Sequence, residues 1–346
     1  MESRIVQLAN EKEVAEVAAF LSAFDLSFDG DVDYTVALWE SGRMVATGSF
    51  KGEVIRNVAV DASLQGEGLL AAITTELMQE QGRRGIFHRL LFTRPGKAHL
   101  FAALGFVELA KAEPYAALLE QGLGGFDAFC RSVANALAGL PAGRRAALVM
   151  NCNPFTLGHQ ALVAKAAAEN DSGVLFVVKE DRSLFPFDVR LELVKQGVAQ
   201  FKNVRVVSGG DYIISAATFP GYFTREENLV AAQTRLDAAL FAARIAPALG
   251  ITRRYVGEEP YCPVTNAYNE ALAEILPQYG MTFTVIPRVA AAAGDNAISA
   301  SSVREALRHD DWATVRRLVP DTTWTYLQSS EAAPVLQRIR ETQSRH

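Results

Sequence analysis

Two short segments of the 346-residue chain carry side chains suited to holding a triphosphate. The first, Asn151-Cys152-Asn153-Pro154-Phe155-Thr156-Leu157-Gly158-His159, starts where the apolar run ending at Met150 stops, and it leads into a helical pattern. Pro154 fixes the turn, and Gly158 allows close approach of backbone to a ligand. Free N–H groups and the helix dipole at such a terminus favour an anion. His159 can donate to a phosphate oxygen as charge builds there. Taken alone, the same residues also describe an ordinary strand-to-helix turn with a surface histidine. The second segment, Ile298-Ser299-Ala300-Ser301-Ser302-Val303-Arg304, opens another helical pattern. Its hydroxyls and N–H groups can hold oxygens and Arg304 can neutralise them. Taken alone, it is a serine-capped helix. The pair is more specific than either member.

The elements that must position these segments follow from the pattern around them. From residue 146 the chain alternates strand-like runs (146–150, 174–179, 204–208, 254–257, 282–286) with helical ones (158–169, 188–200, 226–246, 266–276, 299–308). Such alternation predicts a doubly wound α/β domain with a parallel sheet and right-handed crossovers. Ligands of such sheets sit beyond the carboxyl ends of the strands, where both segments lie. The last 35 or so residues read as a helical tail.

The first third differs. A helix is expected over 11–24, strands over 34–40, 43–50 and 53–60, and a turn at Ser41-Gly42. A loop at Gln65-Gly66-Glu67-Gly68 opens a helix to about residue 81, followed by a strand at 86–92, a short helix at 97–104 and a strand from Phe106. The glycine-containing stretch 122–125 marks the boundary, which gives an α+β domain over 1–125 and the α/β domain over 126–346.

Composition narrows the function classes. The net charge is −5, and the first 125 residues hold 11 Lys+Arg against 17 Asp+Glu, so no general surface for nucleic acid or anionic lipid is expected. Apolar runs fall far short of the ~20 residues of a spanning helix, so no membrane role is expected. The N-terminus lacks a signal-peptide core. Cys130, Cys152 and Cys262 form neither a disulfide framework nor a zinc pattern, and a cytoplasmic location is the expectation. There is no GxxxxGK[ST] run and no kinase signature set.

Together the two segments resemble the HxGH and ISSTxxR signatures of the nucleotidyltransferase superfamily. Thr156 stands where the first His often lies, which supplies a hydroxyl without a charge. The stretches 180–187, 211–223, 256–260 and 264–269 all follow strands, and with the first segment they resemble the citrate lyase ligases over nearly the whole chain. That resemblance implies attack of acetate on the α-phosphate of ATP, giving acetyl-adenylate and pyrophosphate. The CoA-derived thiol on the citrate lyase acyl-carrier subunit then takes the acetyl group and AMP leaves. It implies that His159 and Arg304 stabilise phosphate charge and that Thr156, Ser299 and Ser301 hold oxygens. Asn151, Asn153, Pro154, Phe155, Gly158, Gly257, Glu258 and Ile298 complete the nucleotide set it implies. Mg²⁺ is expected with ATP, and no carboxylate cluster identifies metal ligands.

Cys152 is expected to be a packed small residue, since nothing nearby in sequence lowers its pKa. Residues 185–187 and 212–214 serve equally as hydrophobic plugs or substrate walls, and Asp211 as an N-cap. Arg182 and Arg190 either hold polyphosphate or pair with acids. For Arg190, inside a helical pattern, a surface salt bridge is expected.

In the first third, residues 57–60, 65–70 and 101–106 resemble the GNAT acyltransferases. Leu70 stands where their glycine loop ends in Gly or Ala, and Phe101 where many place a proton-donating Tyr. A non-catalytic fold that recognises a CoA-like group or docks the partner is therefore expected. Two other functions compete with the ligase: an adenylyltransferase acting on a phosphopantetheine-like or mononucleotide acceptor, and a non-catalytic acyl-CoA-binding regulator. The first predicts a dinucleotide product, the second no ATP turnover.

Overall fold

The computed structural model describes residues 1–342 except Asp29, 180–182, 216–217, 259–262 and 288–297, and the side chains of 263 and 264. Arg182, Cys262, Glu259 and Pro260, for which the sequence analysis gives expectations, therefore lie outside the described residues. The elements run β1 Glu2–Ile5, α1 Glu11–Ser22, β2 Tyr34–Glu40, β3 Arg43–Lys51, β4 Val54–Val60, α2 Leu69–Arg83, β5 His88–Thr93, α3 Ala98–Ala102, β6 Val107–Ala112, β7 Ala116–Gly122 and α4 Gly125–Ala136. They continue with β8 Arg145–Met150, α5 Leu157–Glu169, β9 Ser172–Val177, α6 Phe187–Gly197, β10 Val204–Ser208, α7 Leu229–Leu240, α8 Ala246–Leu249, β11 Arg253–Gly257, α9 Pro263–Ile275 and β12 Thr282–Ile286. The chain closes with α10 Ala300–Arg308, α11 Trp312–Leu318, α12 Asp321–Leu327 and α13 Ala333–Glu341. Among the described residues no helix is long and apolar enough to cross a membrane.

Contacts group the chain into two compact units. One comprises Met1–Phe129 with Phe219–Leu240, the other Cys130–Thr218 with Phe241–His346. A single linear boundary does not capture this grouping, because 219–240 follows β10 in sequence and packs with the N-terminal elements. The physical cause is aromatic burial. Phe219 meets Phe92 of β5 edge-on at 5.8 Å, and α7 lies against β6 and β7.

The first unit is built on a seven-stranded mixed sheet of order β1-β2-β3-β4-β5-β7-β6. All neighbours are antiparallel except β4 and β5, which run parallel and pair only at Val54↔Leu90 and Ile55↔Leu91. Helix α2 packs on β3 and β4 through Leu69, Ile73 and Leu77, in core with Val36, Phe50 and Ile55. Strand β7 was not expected from sequence. The run 107–122 is rich in alanine, which carries little strand preference, and only the pairing of β6 with β7 and of β7 with β5 makes it extended.

One charged cluster in this unit couples stability to pH. His88 Nδ1 lies 2.7 Å from Glu53 and its Nε2 3.2 Å from Glu120. These hydrogen bonds, Glu120 first and Glu53 next, raise the His88 pKa from 6.5 to about 9. A group with a raised folded pKa contributes stability that is complete below the unfolded value and lost as pH rises through the folded one. The expected result is that the Tm difference between wild type and His88→Gln is largest near pH 6 and shrinks between pH 6.5 and 9.5. Thermal melts at half-unit pH intervals check this, and a constant difference across the range would contradict it.

The second unit holds a five-stranded, fully parallel sheet of order β10-β9-β8-β11-β12. The chain enters this sheet at its central strand β8, so the sheet is wound first to one side and then to the other, as the alternation predicted. The core joins Leu148, Leu175 and Tyr255 of the sheet with Val163 and Leu193 of the helices and with Leu327, Val335 and Ile339 of the last helices. The tail is thus helical as expected, and its apolar residues belong to the core.

Candidate active site

The turn after β8 reverses direction through Cys152, whose φ of +55° lies in the left-handed region and whose thiol is buried. Burial pushes that thiol well above its ordinary pKa, so it packs as a small apolar group. Thr156 then caps α5. Its hydroxyl accepts from the His159 N–H at 3.3 Å, and the Thr156 N–H donates to His159 Nδ1 at 3.1 Å. A backbone N–H can only donate, so Nδ1 accepts and the proton of the neutral ring sits on Nε2. Phe155 stacks on the imidazole with centroids 5.9 Å apart, which fixes the plane of the ring.

Arg190 differs from the expected surface ion pair. It is fully buried, with Nη1 donating to Asn151 O and Oδ1 at 2.7 Å each and to Val178 O at 2.9 Å, while Nε donates to Phe185 O at 3.0 Å. One guanidinium therefore ties the end of β8, the end of β9 and the start of α6 together. The signal was in the sequence. Arg190, Leu193, Val194 and Gly197 form the i, i+3, i+4, i+7 stripe that faces the core, and the charge sits on that stripe. Asn151 Nδ2 donates to Ser183 at 3.0 Å and Asn153 Oδ1 accepts from Phe185 N at 3.0 Å, so both asparagines brace the loop after β9. Phe185 itself is core, and Tyr212, Ile213 and Ile214 are buried. Asp211 faces Lys179 at 3.5 Å.

The second segment meets the first directly. Ser299 caps α10, its Oγ accepting from Ser302 N at 3.0 Å. Arg304 is 4% exposed, and its Nη1 donates to the Asn153 carbonyl at 2.5 Å. Its Nη2 lies 3.4 Å from Ser301 Oγ. Burial, with Arg308 adding repulsion, lowers its pKa to about 10, which still leaves it cationic at neutral pH. Gly158 suits the same approach, since a Cβ there would stand 3.0 Å from the Ile298 carbonyl, a tight contact. The helix openings of α5 and α10 are thus in contact, with one buried cation bridging them.

The remaining expected residues are placed as follows. Pro154 and Ile298 are buried and Ser301 is exposed. Gly257 ends β11 beside Leu162 of α5 and accepts from Asn269 at 3.1 Å. Glu258 is exposed, and its N–H donates to the Ile286 carbonyl at 2.8 Å. Sequence reasoning missed Thr323, which donates to the Phe155 carbonyl at 2.9 Å from the last helices. No local pattern marks a threonine that reaches across 168 residues of chain. Among the described residues no group of three or more His, Cys, Asp or Glu is arranged to hold a metal ion.

Comparison with known proteins adds four findings. Residues 145–327 match the family model described as the citrate lyase ligase C-terminal domain. The chain is 39% identical over 329 residues to a citrate (pro-3S)-lyase ligase of Klebsiella pneumoniae, covering 93% of this chain and 95% of that protein. It is 36% identical over 328 residues to the protein of the same name from Escherichia coli K12, covering 94% and 93%. Among solved structures, Thermotoga maritima TmcAL bound with alpha-thio ATP aligns at 15% identity and a TM-score of 0.34, covering 54% of this chain and 55% of that one.

Proposed function

The chain belongs to the citrate lyase ligase family, and from that premise we propose that it activates citrate lyase by acetylating the thiol of the lyase's acyl-carrier subunit with acetate and ATP. It is an enzyme of the ligase class. Acetate oxygen attacks the α-phosphorus of ATP, the bond to the bridging oxygen breaks, and pyrophosphate leaves. The carrier thiolate then attacks the acetyl carbonyl of the mixed anhydride, and AMP departs with the bonding electron pair. Mg²⁺ accompanying the nucleotide would shield its phosphate charges, and among the described residues no acidic cluster is arranged to hold it. A cytoplasmic setting keeps the carrier thiol reduced.

The observation that carries this reading is the join between the two helix openings, Arg304 on the Asn153 carbonyl and Gly158 on Ile298. It brings a buried cation, two helix N-termini and the His159 ring to one end of the parallel sheet. In the proposed role His159 presents Nε2–H to the α-phosphate, where negative charge grows during displacement. Arg304 and the amides of α5 and α10 balance the rest, with Ser299 and Ser301 as oxygen partners and Asn151, Asn153, Pro154, Phe155, Gly257, Glu258 and Ile298 shaping the nucleotide's surroundings. Thr156 already spends its hydroxyl on the cap, so its contribution is to fix the imidazole.

The test is product identity. Incubation of the full chain with ATP, acetate and deacetylated carrier is expected to yield AMP, pyrophosphate and an acetyl thioester in equal amounts. A dinucleotide would instead support the adenylyltransferase reading, and absence of turnover would support the regulator.

A further inference from the structure

The interior of the second unit holds an arginine whose hydrogen bonds are incomplete. Arg254 of β11 is 1% exposed. Its Nη2 donates to Tyr268 Oη of α9 at 3.3 Å. Among the described residues, Nε and Nη1 are buried with no acceptor. The guanidinium lies 4.4 Å over the Phe241 ring, which in turn meets Phe176 of β9 edge-on at 6.3 Å. An aromatic face balances part of the charge but offers no acceptor in the guanidinium plane. Arg190 shows what an arginine that braces this fold looks like. It is as deeply buried, yet its Nη1 and Nε both end on carbonyl oxygens. A buried guanidinium without such acceptors is costly, and polar atoms left open in an interior point to a ligand that completes them.

The surroundings define that ligand. Strand alternation puts Val256 on the same face of the sheet as Arg254, and the register Arg254↔Ala147 puts Ala147 and Val149 of β8 there too. Ala147 is fully buried and reaches no further than its Cβ, whereas Val149 and Val256, nearer the carboxyl ends, are half-buried. The face is therefore sealed at Arg254 and accessible above it, on the side from which ligands of such sheets enter. Phe241 also opens a π-helical turn, Phe241–Ile245, so the helix is widened where its ring meets the guanidinium. Such turns recur at functional sites. A phosphate would press further charged oxygens against valine and phenylalanine side chains. A small monocarboxylate carries a single charge, and its alkyl end suits those walls.

We propose that Arg254 is the charge partner of a small monocarboxylate, which reaches it over Val149 and Val256 from the carboxyl ends of the strands. One carboxylate oxygen accepts from the guanidinium and the other stays toward the strand ends. On the ligase reading, that second oxygen is the one that attacks the α-phosphorus, so Arg254 governs the affinity for acetate and leaves that for ATP unchanged. The part in the reaction rests on that reading. The carboxylate site stands on the geometry alone.

Thermal melts of the full chain without ATP test the site, with sodium acetate as the probe, sodium chloride at equal ionic strength as the control and inorganic phosphate as the competing anion. Acetate is expected to raise the midpoint of wild type above that in chloride. Arg254→Met keeps much of the volume and removes the charge. In chloride it should melt no lower than wild type, because an unpaired buried cation has been replaced by an apolar side chain, and acetate should no longer raise its midpoint. Acetate that stabilises wild type no better than chloride overturns the site, and this comparison needs no variant. A methionine variant that keeps the acetate effect overturns it as well. A variant that melts lower than wild type in chloride, or does not fold, shows that Arg254 serves the fold and also overturns it. Phosphate that matches acetate on wild type and loses its effect in the variant overturns the choice of a carboxylate. Acetate-dependent exchange of pyrophosphate into ATP, measured without carrier, tests the part in the reaction. In Arg254→Met the KM for acetate should rise about tenfold or more, the scale of a lost hydrogen bond to a charged group, with the KM for ATP unchanged. An unchanged KM for acetate removes Arg254 from the reaction. Acetate stabilisation that depends on Arg254 in a wild type without exchange sinks the ligase reading and leaves the site standing.

Discussion

Replacing His159 by Ala is expected to slow AMP formation by at least ~100-fold, the scale on which a single donor to a developing oxyanion acts. The structure explains why the ring is committed to one geometry. Nδ1 is taken by the Thr156 N–H and the ring plane is set by Phe155, so Nε2 carries the proton that faces outward from the cap. The same ring also belongs to the cap of α5, and removing it costs stability of about 1 kcal/mol. His159→Asn separates the two roles. A side-chain oxygen restores an acceptor for the Thr156 N–H, so the denaturation midpoint should recover while AMP formation stays low. Rates within a few-fold of wild type for the alanine variant, measured with saturating carrier, would remove His159 from the mechanism.

The second large effect concerns Arg190. Arg190→Met keeps the volume and deletes the donors, which leaves the carbonyls of Val178 and Phe185 buried and that of Asn151 part-buried without this partner. At about 1–3 kcal/mol for each group left unsatisfied, a loss of about 3 kcal/mol or more is expected. Urea denaturation of the full chain measures it. Lysine should not rescue, because an ammonium cannot span acceptors that a planar fork reaches on two sides. Since the loop it holds includes Asn151 and leads to Asn153, the KM for ATP should rise as well. A methionine variant within about 1 kcal/mol of wild type and with an unchanged KM would show that packing alone holds the turn.

These two residues differ in how far sequence could reach them. The place of His159 in the cap of α5 is legible because it depends on local neighbours: a strand end, a proline, a glycine and a helix start within nine residues. Arg190 is legible in part. Its position on the apolar stripe of α6 places it inward, and a charge there demands acceptors, but which acceptors depends on where the ends of β8 and β9 lie. The surface ion pair expected for it gave weight to the helical pattern and too little to the face.

The alternation of apolar strands and helices after residue 145 was by itself enough to determine the doubly wound parallel sheet, since a parallel strand pair requires a crossover and crossovers have one hand. The capped openings at Thr156 and Ser299 were equally local, because a cap is set by a few successive residues. Tertiary structure alone decided the rest. It made 116–122 a strand through pairing, brought Thr323 to Phe155, and joined Arg304 to Asn153. It also took 219–240 out of its sequence neighbourhood and set Tyr222 between β4 and β5. Each of these depends on the partner that a buried polar group or an apolar face finds at long range, and residue spacing along one chain carries no record of that partner.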